Sequence, residues 1–477
     1  MEITPSETGT RAASLDAFRG YAILTMVLSG AIAFGILPAW MYHGQTPPPN
    51  HVFNPEVYGI TWVDLVFPFF IFAMGAAFPF SVGRKLEKGE PVWKVSLQGL
   101  FRGLKLAFFA IFIQHFYPWV VGNPQDYRAW FITLAAFALL FPMFMRLPWK
   151  VSAWVRSAVQ AAAYGIAVWM LLTVRYANDR TFGLGYSNII ILVLANMAVF
   201  GTLAYALTWK NRWLRIGILP FIMAVMLGGT TASESWNAVL YNYSPVPWFY
   251  RFMYLKYLFI IIPGTIAGEY LSEWIKSSKQ TGEIKVSGEK KEALILLFLC
   301  LSLIVFNLYG LYTRRLTLNL CVTAVLLITG YRYIFRVQTI TTRFWKNLFT
   351  AGFYLLLLGL FFEAFEGGIR KDHSTYSYYF VTSGLAFFGL MVFSIVCDYF
   401  KYRKSTAFLF LSGQNPMIAY VGSSMAINPL LHITRLYPLL DNLTHNPWLG
   451  FLRGIIVTGL VTLLAMFFTK IKWFWRT

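Results

Sequence analysis

Residues 60–82 read ITWVDLVFPFFIFAMGAAFPFSV, and this stretch decides the fold class because it contains one ionisable residue, Asp64, in an otherwise apolar run. An α-helix needs about 20 mainly apolar residues to cross the hydrocarbon core of a bilayer. An ionised carboxylate at that depth costs at least about 2.5 kcal/mol on insertion scales, so it requires a partner or a purpose. The stretch therefore predicts a transmembrane helix and makes Asp64 a candidate site residue.

Apolar runs of similar length recur from one end of the chain to the other. Of its 477 residues, 57% are hydrophobic and only 13% are charged, a balance that excludes a soluble multidomain protein. We predict an all-α, polytopic integral membrane protein with about 12 to 14 transmembrane helices. The predicted helices are at 20–38, 60–82, 97–116, 128–145, 152–173, 187–208, 213–229, 253–273, 292–310, 317–335, 347–364, 377–400, 405–427 and 449–469.

The formal net charge of +20 has two interpretations, a nucleic acid partner or a membrane topology signal. Nucleic acid binding would need the basic residues on one face, whereas here they lie in short clusters between apolar runs. If residues 1–19 are cytoplasmic and each run crosses once, roughly 29 of the 40 Lys and Arg residues fall on the cytoplasmic side. We therefore predict membrane lipid and no nucleic acid as a partner, with both termini in the cytoplasm.

The polar segment 272–292, rich in Lys, Glu, Ser and Gly, is the longest cytoplasmic break between predicted helices. Its composition is typical of a flexible linker. We expect it to join an N-terminal transmembrane block, residues 1–271, to a C-terminal block, residues 293–477.

The predicted outer loop 39–60 contains two histidines, His43 and His51, close in sequence to Asp64. Histidine exchanges a proton near neutral pH. A buried carboxylate that accepts a hydrogen bond from one imidazole nitrogen would set the tautomer and raise the basicity of the other nitrogen. Proximity in sequence permits such a pair without establishing it, and a loop histidine without a functional role is the alternative.

Several polar residues have the chemistry that a hydroxylated or aminated ligand requires. Carboxylates bind hydroxyl or ammonium groups and an aromatic face packs on a sugar ring. Solvated loop charge is the alternative for the acids, and hydrogen bonding between helices is the alternative for the asparagine. The candidate substrate-binding residues are His43, Glu234, Trp236, Glu366, Asp372 and Asn415.

Basic residues near the predicted cytoplasmic helix ends, Arg19, Arg102 and Lys105, are candidates for binding the phosphates of a cytoplasmic ligand. The positive-inside bias alone would also produce them. The sequence contains no Walker-type loop, Rossmann fingerprint or Cys/His spacing typical of a metal site, so we expect no metal.

Three segments together resemble a known family. They are SLDAFRG at 14–20, GITWVDLVFP at 59–68 and GQNPMIAYV at 413–421. They look like the membrane acetyltransferases typified by heparan-α-glucosaminide N-acetyltransferase. More narrowly, Tyr257 to Tyr270 and the stretch from Glu366 to Tyr378 look like a bacterial branch, the DUF5009 group.

The resemblance implies an enzyme of the bacterial cytoplasmic (inner) membrane with acetyl-CoA as co-substrate. In that family the acetyl group reaches the amine of a glucosamine across the membrane, and a histidine ahead of the second motif is essential. His51 corresponds best to that histidine and His43 is the second choice. The expected partner is an amino sugar or glycan, His51 and Asp64 are the expected catalytic pair, and a homodimer is compatible with the sequence.

Two other classes of function stay open at this point. About fourteen helices with acidic residues at their ends would also suit a sugar or organic-anion transporter, although no inverted repeat is evident. A non-catalytic membrane scaffold is the third class, in which His51 and Asp64 would be structural.

Overall fold

The computed structural model describes residues 13–145, 152–231, 235–281, 289–334 and 339–476. Over these ranges the chain forms helices and loops and no β-strand. Twelve of the helices in the described ranges are long and apolar enough to cross a membrane. The predicted fold class, an all-α polytopic integral membrane protein, is confirmed, while the cytoplasmic position of the termini stays a prediction.

We number the fourteen longest helical segments α1 to α14 in chain order. All but α1 and α13 qualify by length and composition as membrane spans. The segments are α1 Ala13–Ala31, α2 Trp62–Ala76 continued by Pro79–Gly83 and Arg84–Glu87, α3 Val92–His115, α4 Tyr127–Phe144, α5 Ala153–Thr173, α6 Ile189–Leu207, α7 Arg212–Thr231, α8 Leu258–Thr281, α9 Glu289–Tyr312, α10 Leu316–Ile334, α11 Ile340–Phe365, α12 Tyr376–Phe393 continued by Ser394–Tyr399, α13 Ala407–Gln414 continued in short pieces to Ile433, and α14 Pro447–Lys470.

The first helix lies seven residues earlier than the predicted range of 20–38, because its polar beginning is helical. Asp16 and Arg19 are one turn apart and form an ion pair of 3.7 Å, and Arg19 Nη1 donates to the carbonyl of Gly413 at 3.2 Å. These contacts allow two charged residues within the helix. The helix ends at Ala31, ahead of Gly35, whose φ is +84°.

The described part of the predicted linker 272–292 is entirely helical. Helix α8 continues to Thr281 and α9 begins at Glu289, while residues 282–288 lie outside the described ranges. The Lys and Glu residues that suggested a loop therefore extend two helices beyond their apolar parts. The division of the chain into two blocks at this linker stays a prediction.

The chain folds into two compact units, each built from segments that are far apart in sequence. Unit 1 comprises residues 1–25, 38–81 and 259–413. Within it α2 packs closely on α8, since a Cβ added to Gly264 would lie 2.4 Å from the Phe72 carbonyl oxygen and one added to Gly75 would lie 2.4 Å from that of Ile261. Small residues let membrane helices approach to backbone contact. This packing positions α2, whose first turn carries Asp64.

Unit 2 comprises residues 26–37, 82–258 and 414–477. In it Gln160 of α5 donates to the carbonyl of Met143 in α4 at 2.7 Å. The segment after α14 returns to α4, where the Trp475 ring lies 5.0 Å from that of Phe141. Aromatic packing and a side-chain hydrogen bond thus hold the helices of this unit together.

Candidate functional site

Two loops of unit 1 meet at the site, residues 38–61 before α2 and residues 366–375 between α11 and α12. The Gly59 amide donates to the Ile369 carbonyl at 2.8 Å. Gln45 then pairs with the backbone of Asp372 in both directions, donating to its carbonyl at 3.0 Å and accepting from its amide at 2.8 Å. These bonds align the loops so that the side chains between them face each other.

Asp64 is the third residue of α2 and forms a capping box with Thr61. Its side chain is fully buried. Oδ2 accepts hydrogen bonds from the amide of Thr61 at 2.9 Å and from that of Gly44 at 3.1 Å. The buried hydroxyl of Tyr378 donates to the Asp64 carbonyl at 2.8 Å. Asp64 therefore holds the histidine loop to the beginning of α2, and its other oxygen, Oδ1, faces the site.

His43 lies between two carboxylates, one at each ring nitrogen. Its Nδ1 is 2.8 Å from Asp64 Oδ1, and its Nε2 is 2.8 Å from Asp372 Oδ2. Burial alone lowers the pKa of His43, but the hydrogen bonds to Asp372 and Asp64 outweigh burial, so the pKa is raised above 6.5. The bond from His43 in turn lowers the pKa of Asp372 below 3.8, against the effect of burial. The structure thus brings together Asp64, His43 and Asp372.

Lys371 is a residue of this site that the sequence reasoning missed. Its Nζ is 3.6 Å from Asp64 Oδ1, the same oxygen that meets His43, and its side chain is one-quarter exposed. The only available signal was its position next to Asp372. Two charged residues at 371–372 in a short loop are equally typical of an ordinary solvent-exposed loop.

A second group of charges surrounds Tyr58, next to the histidine site. The guanidinium of Arg370 lies 5.0 Å from the Tyr58 ring centre and that of Arg314 lies 5.5 Å from it. Arg370 also pairs with Glu56 at 2.7 Å, and Arg314 pairs with the buried Glu363. The ring therefore joins both site loops to the turn between α9 and α10 through cation–π contacts.

His51, the first choice from the sequence, does not meet Asp64. Its Nδ1 lies 3.3 Å from the carbonyl oxygen of Thr46, and its ring packs edge-on against Tyr42 at 5.0 Å. The physical reason is the path of the loop, because the Gly44 amide bonds to Asp64 and brings His43 to the carboxylate. The imidazole that meets Asp64 is that of His43. A catalytic role for His51 and Asp64 stays a prediction.

Two of the other predicted substrate-binding residues, Glu366 and Asn415, bind backbone groups of nearby segments. Glu366 accepts from the amides of Tyr376 and Ser377 at 2.8 and 2.9 Å, which caps α12. Asn415, in unit 2, is buried and binds the segment after α14, donating to the Trp473 carbonyl at 2.8 Å. These two side chains have structural roles in the positions observed.

Trp236, also in unit 2, begins the short helix Trp236–Asn242 and is exposed. Glu234 lies outside the described residues. Of the basic candidates, Arg19 is in unit 1, and Arg102 and Lys105 are in α3 of unit 2. Their convergence on one phosphate-binding mouth stays a prediction.

The acidic groups of the site are directed at the histidine rather than at a shared metal position. The His43 site contains one imidazole and two carboxylates, and both carboxylates point at the imidazole itself. Within the described ranges, no three or more His, Cys, Asp and Glu side chains are grouped as a metal ion would require. The arrangement is suited to holding a proton on His43 and moving it.

Comparison with known proteins gives one family match. The model of a family described as "Domain of unknown function (DUF5009)" matches residues 11–271, a range that includes α1, the histidine loop and α2. A search of curated proteins finds no match.

Proposed function

The chain belongs to the DUF5009 family, whose matched range includes the histidine loop, and we propose that it is an integral-membrane acyltransferase. It would move an acetyl group from cytoplasmic acetyl-CoA to the amine of a glucosamine-type amino sugar at the outer face of a bacterial cytoplasmic membrane. The observation that carries this proposal is the position of His43, with Nδ1 on the buried Asp64 and Nε2 on Asp372. The resemblance of three segments to membrane acetyltransferases supports the choice of reaction.

Asp64 is suited to orient His43 for proton transfer. Once the acceptor amine displaces Asp372 from Nε2, the carboxylate of Asp64 on Nδ1 keeps the proton of neutral imidazole on that nitrogen and leaves the lone pair on Nε2. Because Asp64 is fully buried and tied to two backbone amides, its oxygen does not need to move during the reaction. Nε2 is then the atom that accepts the proton of the acceptor amine.

The proposed transfer balances without an oxidant or a reductant. The acceptor reacts as the free amine, its nitrogen attacks the thioester carbonyl carbon, and a C–N bond forms while the C–S bond breaks. The amine proton passes to His43 Nε2 and then to the departing thiolate, which leaves as CoA thiol. A positioned base of this kind contributes about a hundredfold to ten-thousandfold in rate.

Asp372 is suited to hold the acceptor. Its side chain is about half exposed, unlike the buried Asp64, and one of its oxygens already lies 2.8 Å from Nε2. A carboxylate in that position would accept a hydrogen bond from the amine as it approaches the imidazole. For the donor, Arg19, Arg102 and Lys105 remain the proposed contacts to the phosphates of CoA.

The charge distribution supports an outer position for the site. The loop 40–59 contains no Lys or Arg, whereas segments assigned to the cytoplasm contain most of the basic residues. An acceptor at the outer face would therefore meet His43 without crossing the membrane. The acetyl group would then have to cross the membrane.

The test uses the full-length protein, purified in detergent, with acetyl-CoA labelled in the acetyl group and glucosamine or short glucosaminides. We expect labelled N-acetyl product, and we expect His43→Gln to reduce its rate by at least about a hundredfold. His51→Gln is the matched variant, since it changes a histidine of the same loop that does not contact Asp64. It should retain most of the activity.

Two results would contradict the proposal. Loss of activity in His51→Gln with retention in His43→Gln would move the base to the other histidine. Labelled sugar uptake into proteoliposomes that needs no acyl donor, with no acetylated product, would instead assign the chain to the transporter class.

A further inference from the structure

We propose that Lys371 is a positioning residue of the His43 site, which favours the neutral, basic form of the imidazole by placing a positive charge beside Asp64 Oδ1, the oxygen that also meets His43 Nδ1. The role of Lys371 in catalysis rests on the proposed function. Its effect on the protonation of His43 does not, because that effect follows from the charges of the site.

The contacts of Asp64 explain why one oxygen serves two cations. Oδ2 accepts from the Thr61 and Gly44 amides and also lies 3.3 Å from the Thr61 hydroxyl. Oδ1 lies 2.8 Å from His43 Nδ1 and 3.6 Å from Lys371 Nζ. The ammonium and the imidazole therefore compete for the same negative charge.

The surroundings of His43 make this competition relevant. Among the described residues, the charged groups that face the imidazole are Asp64 from α2 and Lys371 and Asp372 from the loop 366–375. Two carboxylates without the lysine would favour the imidazolium, which cannot accept a proton. Arg370 and Glu56, the next charges outward, are paired with each other. Lys371 is the cation in place to offset the two acids.

The side chain of Lys371 is well placed for this role, because its ammonium lies 3.6 Å from the fully buried carboxylate of Asp64. The same charge repels a proton on His43. The effect is on the protonation equilibrium of His43 and needs no contact between Lys371 and a substrate.

The experiment compares Lys371→Met, which removes the charge and keeps the length, with Lys371→Arg, which keeps the charge. Diethyl pyrocarbonate modifies neutral imidazole, so the rate of His43 modification against pH, followed by mass spectrometry of its peptide, reports its titration directly. We expect the midpoint to move to higher pH in Lys371→Met and to stay near the wild-type midpoint in Lys371→Arg. Lys404→Met, which removes an exposed cation on another loop, controls for net charge.

In the acetyl-transfer assay at about pH 6.5, Lys371→Met should lower kcat at least about threefold, with the loss recovered at higher pH. If Lys371→Met does not fold, Lys371→Gln gives the same comparison. An unchanged or lowered modification midpoint in the uncharged variants would overturn the inference. A wild-type protein that shows the expected midpoints and transfers no acetyl group would overturn the proposed function alone.

Discussion

Asp64 can remain ionised although it is fully buried, because each of its oxygens has partners in unit 1. An effective penalty of several kcal/mol accompanies burial of an unpaired charge. Hydrogen bonds to charged groups contribute about 1.5–3 kcal/mol each, and Asp64 Oδ2 receives them from the Thr61 and Gly44 amides. Its Oδ1 lies 2.8 Å from His43 Nδ1 and 3.6 Å from Lys371 Nζ. Asp64, whose charge is energetically unfavourable in a membrane span, thus holds the histidine loop in place.

The two carboxylates that face His43 determine how activity should depend on pH. Since the pKa of His43 is raised above 6.5, the neutral base is formed only as pH rises through that raised value. Asp372→Asn removes one of the two anions and should lower the pKa of His43. We expect the acidic limb of kcat/KM, measured against pH with labelled acetyl-CoA, to move to lower pH.

Asn retains the shape of Asp372 and its backbone pairing with Gln45, so the loop should keep its position. Thermal unfolding of Asp372→Asn near pH 7 would verify this. If the acidic limb of the kcat/KM profile moves to higher pH in Asp372→Asn, or does not move, then the titration of His43 does not determine that limb.

The existence of an imidazole–carboxylate pair at this loop could be predicted from the sequence, but the choice of histidine could not. His51 is nearer to Asp64 in sequence, whereas the bond from Gly44 to Asp64 decides the pairing in space. The presence of Lys371 in the His43 site could not be predicted from the sequence for the same reason. Its contact with Asp64 joins residues about 300 positions apart, and only the folded loops bring them together.

At the scale of elements, the close contact of α2 with α8 determines where the first turn of α2 lies. A Cβ on Gly264 would lie 2.4 Å from the Phe72 carbonyl oxygen, a distance that real Cβ atoms essentially never show. Gly264→Val should therefore force the helices apart and lower the free energy of unfolding by about 1–3 kcal/mol. Thermal unfolding in detergent measures this loss.

Gly217 in α7 provides the matched control, because no heavy atom lies within 4 Å of the position that its Cβ would take. Gly217→Ala should be neutral or stabilising by up to about 1 kcal/mol, as expected of alanine in a helix. Equal effects of the two substitutions would show that the α2–α8 contact is not close enough to be sensitive to a side chain.

Hydropathy predicted the bounds of a helix well where the apolar run and the helix have the same ends, as in α5 and α10. It failed where charged residues continue a helix. The beginning of α1 is helical because Asp16 and Arg19 satisfy each other, and α8 continues to Thr281 through polar residues. An apolar run shows where a helix crosses hydrocarbon, and helix propensity and pairing decide where it ends.

For the whole molecule, the site loops provide a test of topology. The loops that follow α1, α9 and α11 meet at the site. This is the arrangement expected if α2 to α11 each cross once, since eight helices and then two helices separate these loops. If that side is the outer one, Arg314, Arg370 and Lys371 lie there against the positive-inside bias. Each is paired with an acid, which would account for that position.

Cysteine labelling in intact cells measures the side directly. In a variant without native cysteines, Val52→Cys should react with a membrane-impermeant maleimide added outside, because Val52 is 68% exposed in the histidine loop. Lys404→Cys, exposed before α13, should react only after the membrane is permeabilised.

The reverse pattern would place the histidine loop in the cytoplasm. The acceptor and acetyl-CoA would then approach from the same side, and transfer across the membrane would not be required.

The contacts of Tyr58 with both Arg314 and Arg370 have a mechanical consequence. The ring belongs to the loop that carries His43, and each guanidinium belongs to a different helical hairpin, α9–α10 or α11–α12. The bond between Gly59 and Ile369 further ties this loop to the α11–α12 hairpin. A tilt of either hairpin would therefore be transmitted to the loop that carries His43.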